Sequence, residues 1–237
     1  MNTGPLIAEI AALAGDPARG TMLAALMDGR ALTATELAYA ARITPQTAST
    51  HLARLTEAAL ITMLKRGRFR YFRITSPRVA QMLEAIMAVA VEHRPRFRPL
   101  SPEAARLRSA RFCYDHLAGQ LGVGLADALA ARELVLLDDE GGHITEPGHR
   151  FLAEFGVNLP PMRQRRSVCR ACIDWTERRP HIGGALGAGL ADRCLSLGWI
   201  RREKNTRAVV VTQAGLRGLQ DTFGLEPPEE QPQPRAA

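Results

Sequence analysis

A chain of 237 residues with 46% apolar side chains holds enough hydrophobic material for one large domain or two ordinary ones, which excludes wholesale disorder. Its 31 Lys and Arg outnumber 24 Asp and Glu, and the net charge of +7 favours polyanionic partners while saying nothing about fold. The longest apolar run, Val79 to Val91, is broken by Gln81 and Glu84 and is too short to cross a bilayer, so no membrane segment is predicted.

Lys65 and Lys204 are the only lysines, so the basic character is almost entirely arginine. The planar guanidinium suits phosphates and guanine edges, although a GC-rich coding sequence explains the same bias equally well. Met1 to Gly15 lacks a basic start followed by an apolar run, which predicts no secretory leader and a cytoplasmic protein. Four cysteines, Cys113, Cys169, Cys172 and Cys194, are then expected as reduced thiols.

In chain order, Leu6, Ile7, Ile10, Ala11, Leu13 and Ala14 recur at helical spacing and predict a first amphipathic helix. In "GDPARGTMLAAL", Asp16 is positioned as N-cap and Pro17 as first helical residue of a second. A short helix follows in "TATELAYAA", with Thr35 as the expected cap and Leu37 and Ala38 facing inward. The next helix, 45 to 57, starts from Thr44 and Pro45, with Ala48, Leu52, Leu55 and Ala59 as its buried stripe. Its other face carries Gln46, Thr47, Ser49, Thr50, His51 and Arg54, short hydrogen-bonding groups rather than the usual Glu and Lys.

Two helices at a tight turn, the second with such a face, predict a helix-turn-helix whose second helix enters a major groove. Gln46, Thr47, Ser49, Thr50 and Arg54 are the expected base readers, because Gln pairs with adenine, Arg with guanine, and Ser or Thr with several edges. "LITMLKRGRFRYFRIT" then predicts a β-hairpin, with five cationic side chains and three rings between positions 65 and 74. A solvated hairpin, a membrane-surface patch and a nucleic-acid probe compete for this composition. The absence of a long basic amphipathic helix disfavours the membrane, and position directly after the polar-faced helix favours a wing. Thr44, His51, Lys65, Arg66, Arg68 and Arg70 are expected on the DNA backbone, and Phe69, Tyr71 and Phe72 as anchors to the core.

Residues 5 to 92 resemble the ArsR-type winged-helix repressors of bacteria, on "AGDPARGTMLAAL", "TATELAYAARITPQTASTHLARLTEAALI" and the wing "KRGRFRYFRI" in this order and spacing. The resemblance implies a homodimer whose first and last helices pair, and DNA release by an inducer. In the helix after the wing, Met82, Leu83, Ile86 and Met87 lie on one apolar stripe and are the expected dimer interface. The chain departs from the family's metal-sensing members, since "ELAYAAR" has no thiol and "SPRVAQMLEAIMAVAVEH" offers only Glu84, Glu92 and His93. Ala59 stands where Gly often ends that helix.

Positions 93 to 102, with three prolines, are expected as a linker between a domain at 1–92 and another at 103–225, and 226–237 as a disordered tail. Within the second half, "LGVGLADALAARELV" aligns without gaps with "LGAGLADRCLSLGWI" at an offset of 65. Upstream, "CYDHLAG" corresponds to "CIDWTERRPHIGG". Helix, helix, hairpin, helix, twice over, predicts two tandem winged-helix-like repeats used for sensing or assembly. The expected fold class is therefore mainly α with short β-hairpins, an N-terminal winged helix-turn-helix followed by those repeats.

Cys113, His116, Cys169 and Cys172 supply the donor types of a four-ligand zinc site, and they equally suit a redox-active thiol pair or inert core cysteines. Phe112, Tyr114, Trp175, His181 and Trp199 are expected either to line a pocket for a small organic inducer or to fill two undersized cores. The Gly-rich "TERRPHIGGALGAG" lacks the strand and Lys-Ser/Thr of a phosphate loop. With no nucleophile–base pair beyond a conceivable Cys113–His116 couple, the expected function is regulatory rather than enzymatic. The expected protein is a homodimeric repressor that reads an inverted repeat in double-stranded DNA and responds to an inducer. The alternative is a thiol-redox or zinc-dependent sensor in which DNA binding is secondary.

Overall fold

The computed structural model describes residues 4–66, 69–92, 101–138, 141–159, 167–204 and 206–225. Arg68, positions 93–100 of the expected linker and the expected tail lie outside the described residues. The chain forms two compact units, Met1–Leu83 and Glu84–Ala237.

The first unit runs α1 (Gly4–Gly15), α2 (Pro17–Ala25), a 3-10 turn at Leu26–Asp28, β1 (Leu32–Thr33), α3 (Ala34–Ala41), α4 (Pro45–Glu57), β2 (Ile61–Arg66) and β3 (Phe69–Ile74). Helix α5 (Pro77–Glu92) carries the boundary between the units. Local chemistry explains the helix starts. Asp16 accepts the Arg19 backbone N–H at 2.9 Å, and Thr44 accepts that of Thr47 at 3.2 Å, in each case with proline opening the helix. Helix α3 departs from expectation: its cap is Thr33, not Thr35. Thr33 can complete a reciprocal capping box with Glu36, whose Oε2 accepts the Thr33 N–H at 2.7 Å.

Between α3 and α4 the chain turns through Arg42, in the left-handed region at φ 53°. Ala48, Leu52 and Leu55 of α4 are buried with Leu37 and Ala38 of α3 and Met22, Leu23 and Leu26 beyond. Each leucine removed from water contributes about 1.5–3 kcal/mol, enough to seat a short helix whose other face is polar. Ala59 is not part of that stripe. It sits exposed past the helix end at φ 55°, and Leu60 takes the buried position after it.

The strands form one antiparallel sheet in the order β1-β3-β2, with Lys65 opposite Arg70 and Arg66 opposite Phe69 near the hairpin end. Strand β1 was too short to carry a sequence signal. Of the three rings expected to anchor β3, Phe72 is buried and Tyr71 half-buried, whereas Phe69 is exposed because it lies beyond the helices the strand packs on.

The second unit contains α6 (Pro102–Ser109), β4 (Arg111–Cys113), β5 (His116–Ala118), α7 (Gly119–Ala131), β6 (Val135–Leu137), β7 (Gly142–Ile144) and α8 (Glu146–Phe155). It continues through β8 (Arg170–Ile173), β9 (Pro180–Gly183), α9 (Gly184–Ser196), β10 (Ile200–Arg202), β11 (Val209–Val211) and α10 (Gln213–Phe223). After α6 the order hairpin, helix, hairpin, helix therefore occurs twice. The segments expected as leading helices, around "CYDHLAG" and "CIDWTERRPHIGG", are the hairpins β4–β5 and β8–β9. Strands of three or four residues are too short to show a period of two, which is why they read ambiguously.

Each inner strand passes straight into its helix through a glycine at positive φ, Gly119 at 75° and Gly184 at 79°. A Cβ there would stand 2.5 Å from the Arg108 carbonyl oxygen and 2.7 Å from that of Ser167, so the glycines serve geometry and not phosphate binding. The core joins Leu121, Leu125 and Leu129 of α7 to Leu186, Leu190 and Cys194 of α9, with Phe112 and Phe223 packed among them. Packing is crossed: β5 lies against α9, β9 against α7, and the two strands lie beside one another.

Because Ala59 holds a left-handed conformation that costs a Cβ-bearing residue about 1–2 kcal/mol, Ala59→Gly is expected to raise stability by about 0.5–1 kcal/mol after the entropy lost by glycine. Thermal unfolding measures this, and a lowered melting temperature would contradict it.

Candidate functional site

Two constellations of polar side chains stand out, one in each unit. On α4, Gln46, Thr47, Ser49, Thr50 and Arg54 are all exposed, as predicted for one continuous face. Ser49 Oγ donates to the Pro45 carbonyl at 2.9 Å and Thr50 Oγ1 to that of Gln46 at 3.4 Å, leaving their lone pairs outward. Thr44 Oγ1 is engaged as the cap and lies 2.8 Å from Thr47 Oγ1. Lys65, Arg66 and Arg70 are exposed on the hairpin. His51 is more constrained: its Nδ1 accepts from Arg19 Nη1 at 3.2 Å.

Arg19 is itself buried and ties α4 to α1. Its Nε donates to the Leu13 carbonyl at 2.7 Å and Nη2 to that of Ala12 at 2.9 Å, satisfying the C-terminal carbonyls of α1 while gripping α4 through His51. The four residues expected at a dimer interface differ in exposure. Ile86 is exposed and Met82 and Met87 half-buried, whereas Leu83 is buried beside Ala80 in the chain's own core. Further apolar exposure lies at Leu6 and Ile7 on α1 and Val89 on α5. Glu84, the charge interrupting that helix, is buried and pairs with Arg207 at 3.2 Å.

In the second unit, Cys113, His116, Cys172 and His181 place their ligand atoms within 4.8 Å of one another. Cys113 and His116 face each other across β4–β5, and Cys172 and His181 across β8–β9. The sulfurs are 3.9 Å apart and the two Nε2 atoms 3.2 Å apart. Cys169 does not join this group, contrary to the expected ligand set. It lies in the bend ahead of β8, and its sulfur lies where a Cβ on Gly142 would come within 2.6 Å.

His181 is the member that sequence reasoning placed elsewhere. A signal existed, since "HLAG" and "HIGG" share the 65-residue offset that carries His116 onto His181. The rings expected around an inducer go to separate places. Phe112 and Trp199 pack in the core, Trp175 lies under the Arg111 guanidinium at 4.4 Å, and Tyr114 occupies the β4–β5 turn at φ 60°.

Electrostatics separate the four thiols. Burial lifts Cys169 to about 11 and Cys194 to about 12, so both remain protonated. The hydrogen bond from Cys113 pulls Cys172 far below the usual thiol range, with His116 and His181 adding to the effect against burial. Sharing that bond, and then burial, pushes Cys113 upward.

Behind the cluster lies a fully buried ion pair, Arg111 Nη2 to Asp174 Oδ2 at 2.8 Å. Although burial opposes ionisation, the guanidinium and the Thr176, Gly119 and Glu177 donors hold Asp174 well below the usual carboxylate range.

A model for a helix-turn-helix domain matches residues 14–63, which span α2 to β2. The chain is 43% identical over 212 residues to YdfF, an HTH-type transcriptional regulator of Bacillus subtilis strain 168, covering 89% of this chain and 94% of that protein. This chain belongs to the HTH-type transcriptional regulators. As such it is a DNA-binding regulator of transcription. Among solved structures, HlyU from Vibrio cholerae N16961 is similar over 38% of the regulator and 97% of its own chain, at 21% identity and a TM-score of 0.35. The winged helix-turn-helix domain of Mb0332 from Mycobacterium bovis is similar over 39% of the regulator and 89% of its own chain, at 24% identity and a TM-score of 0.34. No helix among the described residues is long and apolar enough to cross a membrane.

Arg111→Ala is expected to lower the unfolding free energy by about 3–5 kcal/mol, because it strands the Asp174 charge inside the protein. Urea denaturation followed by circular dichroism checks this; a decrease below about 1 kcal/mol would show that water reaches the carboxylate.

Proposed function

We propose that the regulator is a sequence-specific, homodimeric repressor that reads an inverted repeat in double-stranded DNA and is released by an inducer acting on the second unit. The observation that carries this reading is the exposed face of α4. It presents Gln46, Thr47, Ser49, Thr50 and Arg54 with almost no acidic competition and is followed at once by a basic hairpin. In this reading the exposed face of α4 enters the major groove, and Arg54 and Gln46 make bidentate contacts to base edges. Thr44, His51, Lys65, Arg66 and Arg70 sit at the phosphates, with Arg68 assigned there from the sequence alone. A two-fold interface is assigned to the exposed apolar side chains of α5, which include Ile86 and Val89.

The second unit is read as a duplicated, winged-helix-like sensing or assembly module. Support comes from the twofold recurrence of hairpin, helix, hairpin, helix, and from helices α7 and α9 each entered through a glycine at positive φ. Among the described residues its hairpins expose basic side chains in pairs, Arg178 and Arg179 at β8–β9 and Arg201 and Lys204 at β10–β11, fewer than β2–β3.

Binding to the protein's own upstream DNA, with random DNA as competitor at two salt concentrations, tests the reading. A specificity ratio above about a thousand is expected, and equal weak binding to both would overturn it. Arg54→Ala should cost about 1–3 kcal/mol on operator and little on random DNA. Lys65→Ala and Arg66→Ala should weaken both DNAs alike and flatten the slope of log K against log salt by about 0.9 for each phosphate that the variant leaves unneutralised.

A further inference from the structure

We propose that Cys113, His116, Cys172 and His181 form a tetrahedral zinc site that joins the hairpins β4–β5 and β8–β9. Bond lengths of about 2.3 Å to sulfur and about 2.0–2.1 Å to nitrogen set tetrahedral edges of about 3.8 Å between sulfurs and about 3.3 Å between nitrogens. The two opposite edges of this cluster measure 3.9 Å between Cys113 and Cys172 and 3.2 Å between the Nε2 atoms of His116 and His181. Two independent distances thus match one polyhedron.

The histidines carry a second argument. His116 Nδ1 is 3.2 Å from Asp115 Oδ1, and His181 Nδ1 is 3.7 Å from the buried Asp174 Oδ2, with no hydrogen-bond partner among the described residues. Rings that turn their Nδ1–H toward carboxylates present bare Nε2 lone pairs at the other end, the orientation that holds metal-bound imidazoles. The two Nε2 atoms face one another at 3.2 Å, a separation that places either a shared proton or a metal ion between them. Helix α9 packs closely on His116, since a Cβ on Gly187 would meet His116 Cβ at 2.9 Å.

Chemistry selects the ion. Two thiolates and two neutral imidazoles suit borderline-soft zinc, and the two negative charges cancel its double positive charge, so the buried centre is neutral. Cys113, His116, Cys172 and His181 are all buried, so four protein ligands close the shell and leave no position for substrate. Such a centre is a staple: each hairpin contributes one sulfur and one nitrogen, and neither alone completes the set. It stands independently of whether α4 reads an operator.

The test uses full-length protein purified under reducing conditions without chelator, with metal measured by atomic emission and site geometry by cobalt(II) substitution. About one equivalent of zinc per chain is expected, with intense visible cobalt bands and sulfur-to-cobalt charge transfer of a four-coordinate site. Cys113→Ser and Cys172→Ser should each fall below about a tenth of an equivalent, whereas Cys169→Ser should keep about one. His181→Cys, which preserves a tetrahedral ligand set, should retain zinc and strengthen the charge-transfer band even if the serine variants fold poorly. Three results overturn the site: reduced wild-type protein that takes up neither zinc nor cobalt, an equal fall in metal content for Cys169→Ser, or a Cys113–Cys172 disulfide in metal-free protein as purified.

Discussion

Having no exposed surface, the Asp174 carboxylate must find all its hydrogen bonds inside the protein, and in doing so it organises the second unit. It takes Arg111 from β4 at 2.8 Å, the Gly119 N–H at the start of α7 at 2.6 Å, and Thr176 and Glu177 in its own turn. A buried carboxylate without partners would cost several kcal/mol, so the hairpins cannot slip in register without exposing that penalty. Arg111 and Cys113 stand two residues apart on β4, as do Cys172 and Asp174 at the end of β8. The alternation of side chains along extended backbone therefore turns the ion pair into a ruler that brings the two sulfurs together.

Arg19 plays a comparable part in the first unit, spending its donors on the end of α1 and on His51. Arg19, Arg111 and Arg207 are all buried and serve the fold. The net charge of +7 is thus an imperfect guide to DNA contact, because part of the arginine excess never reaches solvent. Arg42, Arg54, Lys65, Arg66, Arg70 and Arg73 are among the basic side chains that the first unit leaves exposed.

Much of the first unit was legible because its signals are local. The caps at Asp16 and Thr44 with their prolines, the stripe of Ala48, Leu52 and Leu55, and the basic hairpin each lie within a few residues of the features they specify. Misjudgements there were also local. Thr33 and Thr35 are both plausible caps, and only the reciprocal bond to Glu36 selects Thr33. Ala59 fits an apolar stripe by type, but the chain has already left the helix when it reaches that position.

In the second unit the offset of 65 residues and the pairing of "CYDHLAG" with "CIDWTERRPHIGG" could be read directly, and so could the donor types of a metal cluster. Membership of the cluster was another matter. Cys169 and Cys172 look like a ligand pair in sequence, yet Cys169 sits in a bend before β8 starts at Arg170, with its sulfur beside Gly142 and outside the cluster. His181 enters because a longer β8–β9 turn still returns it opposite Cys172, and because the crossed packing sets β9 beside β5. Sequence by itself determined the helices of the first unit, the caps at Asp16 and Thr44 and the polar face of α4, since those depend on neighbours a turn away. Tertiary structure alone decided which cysteine and which histidine meet, because that depends on strand register and on contacts between residues 65 apart.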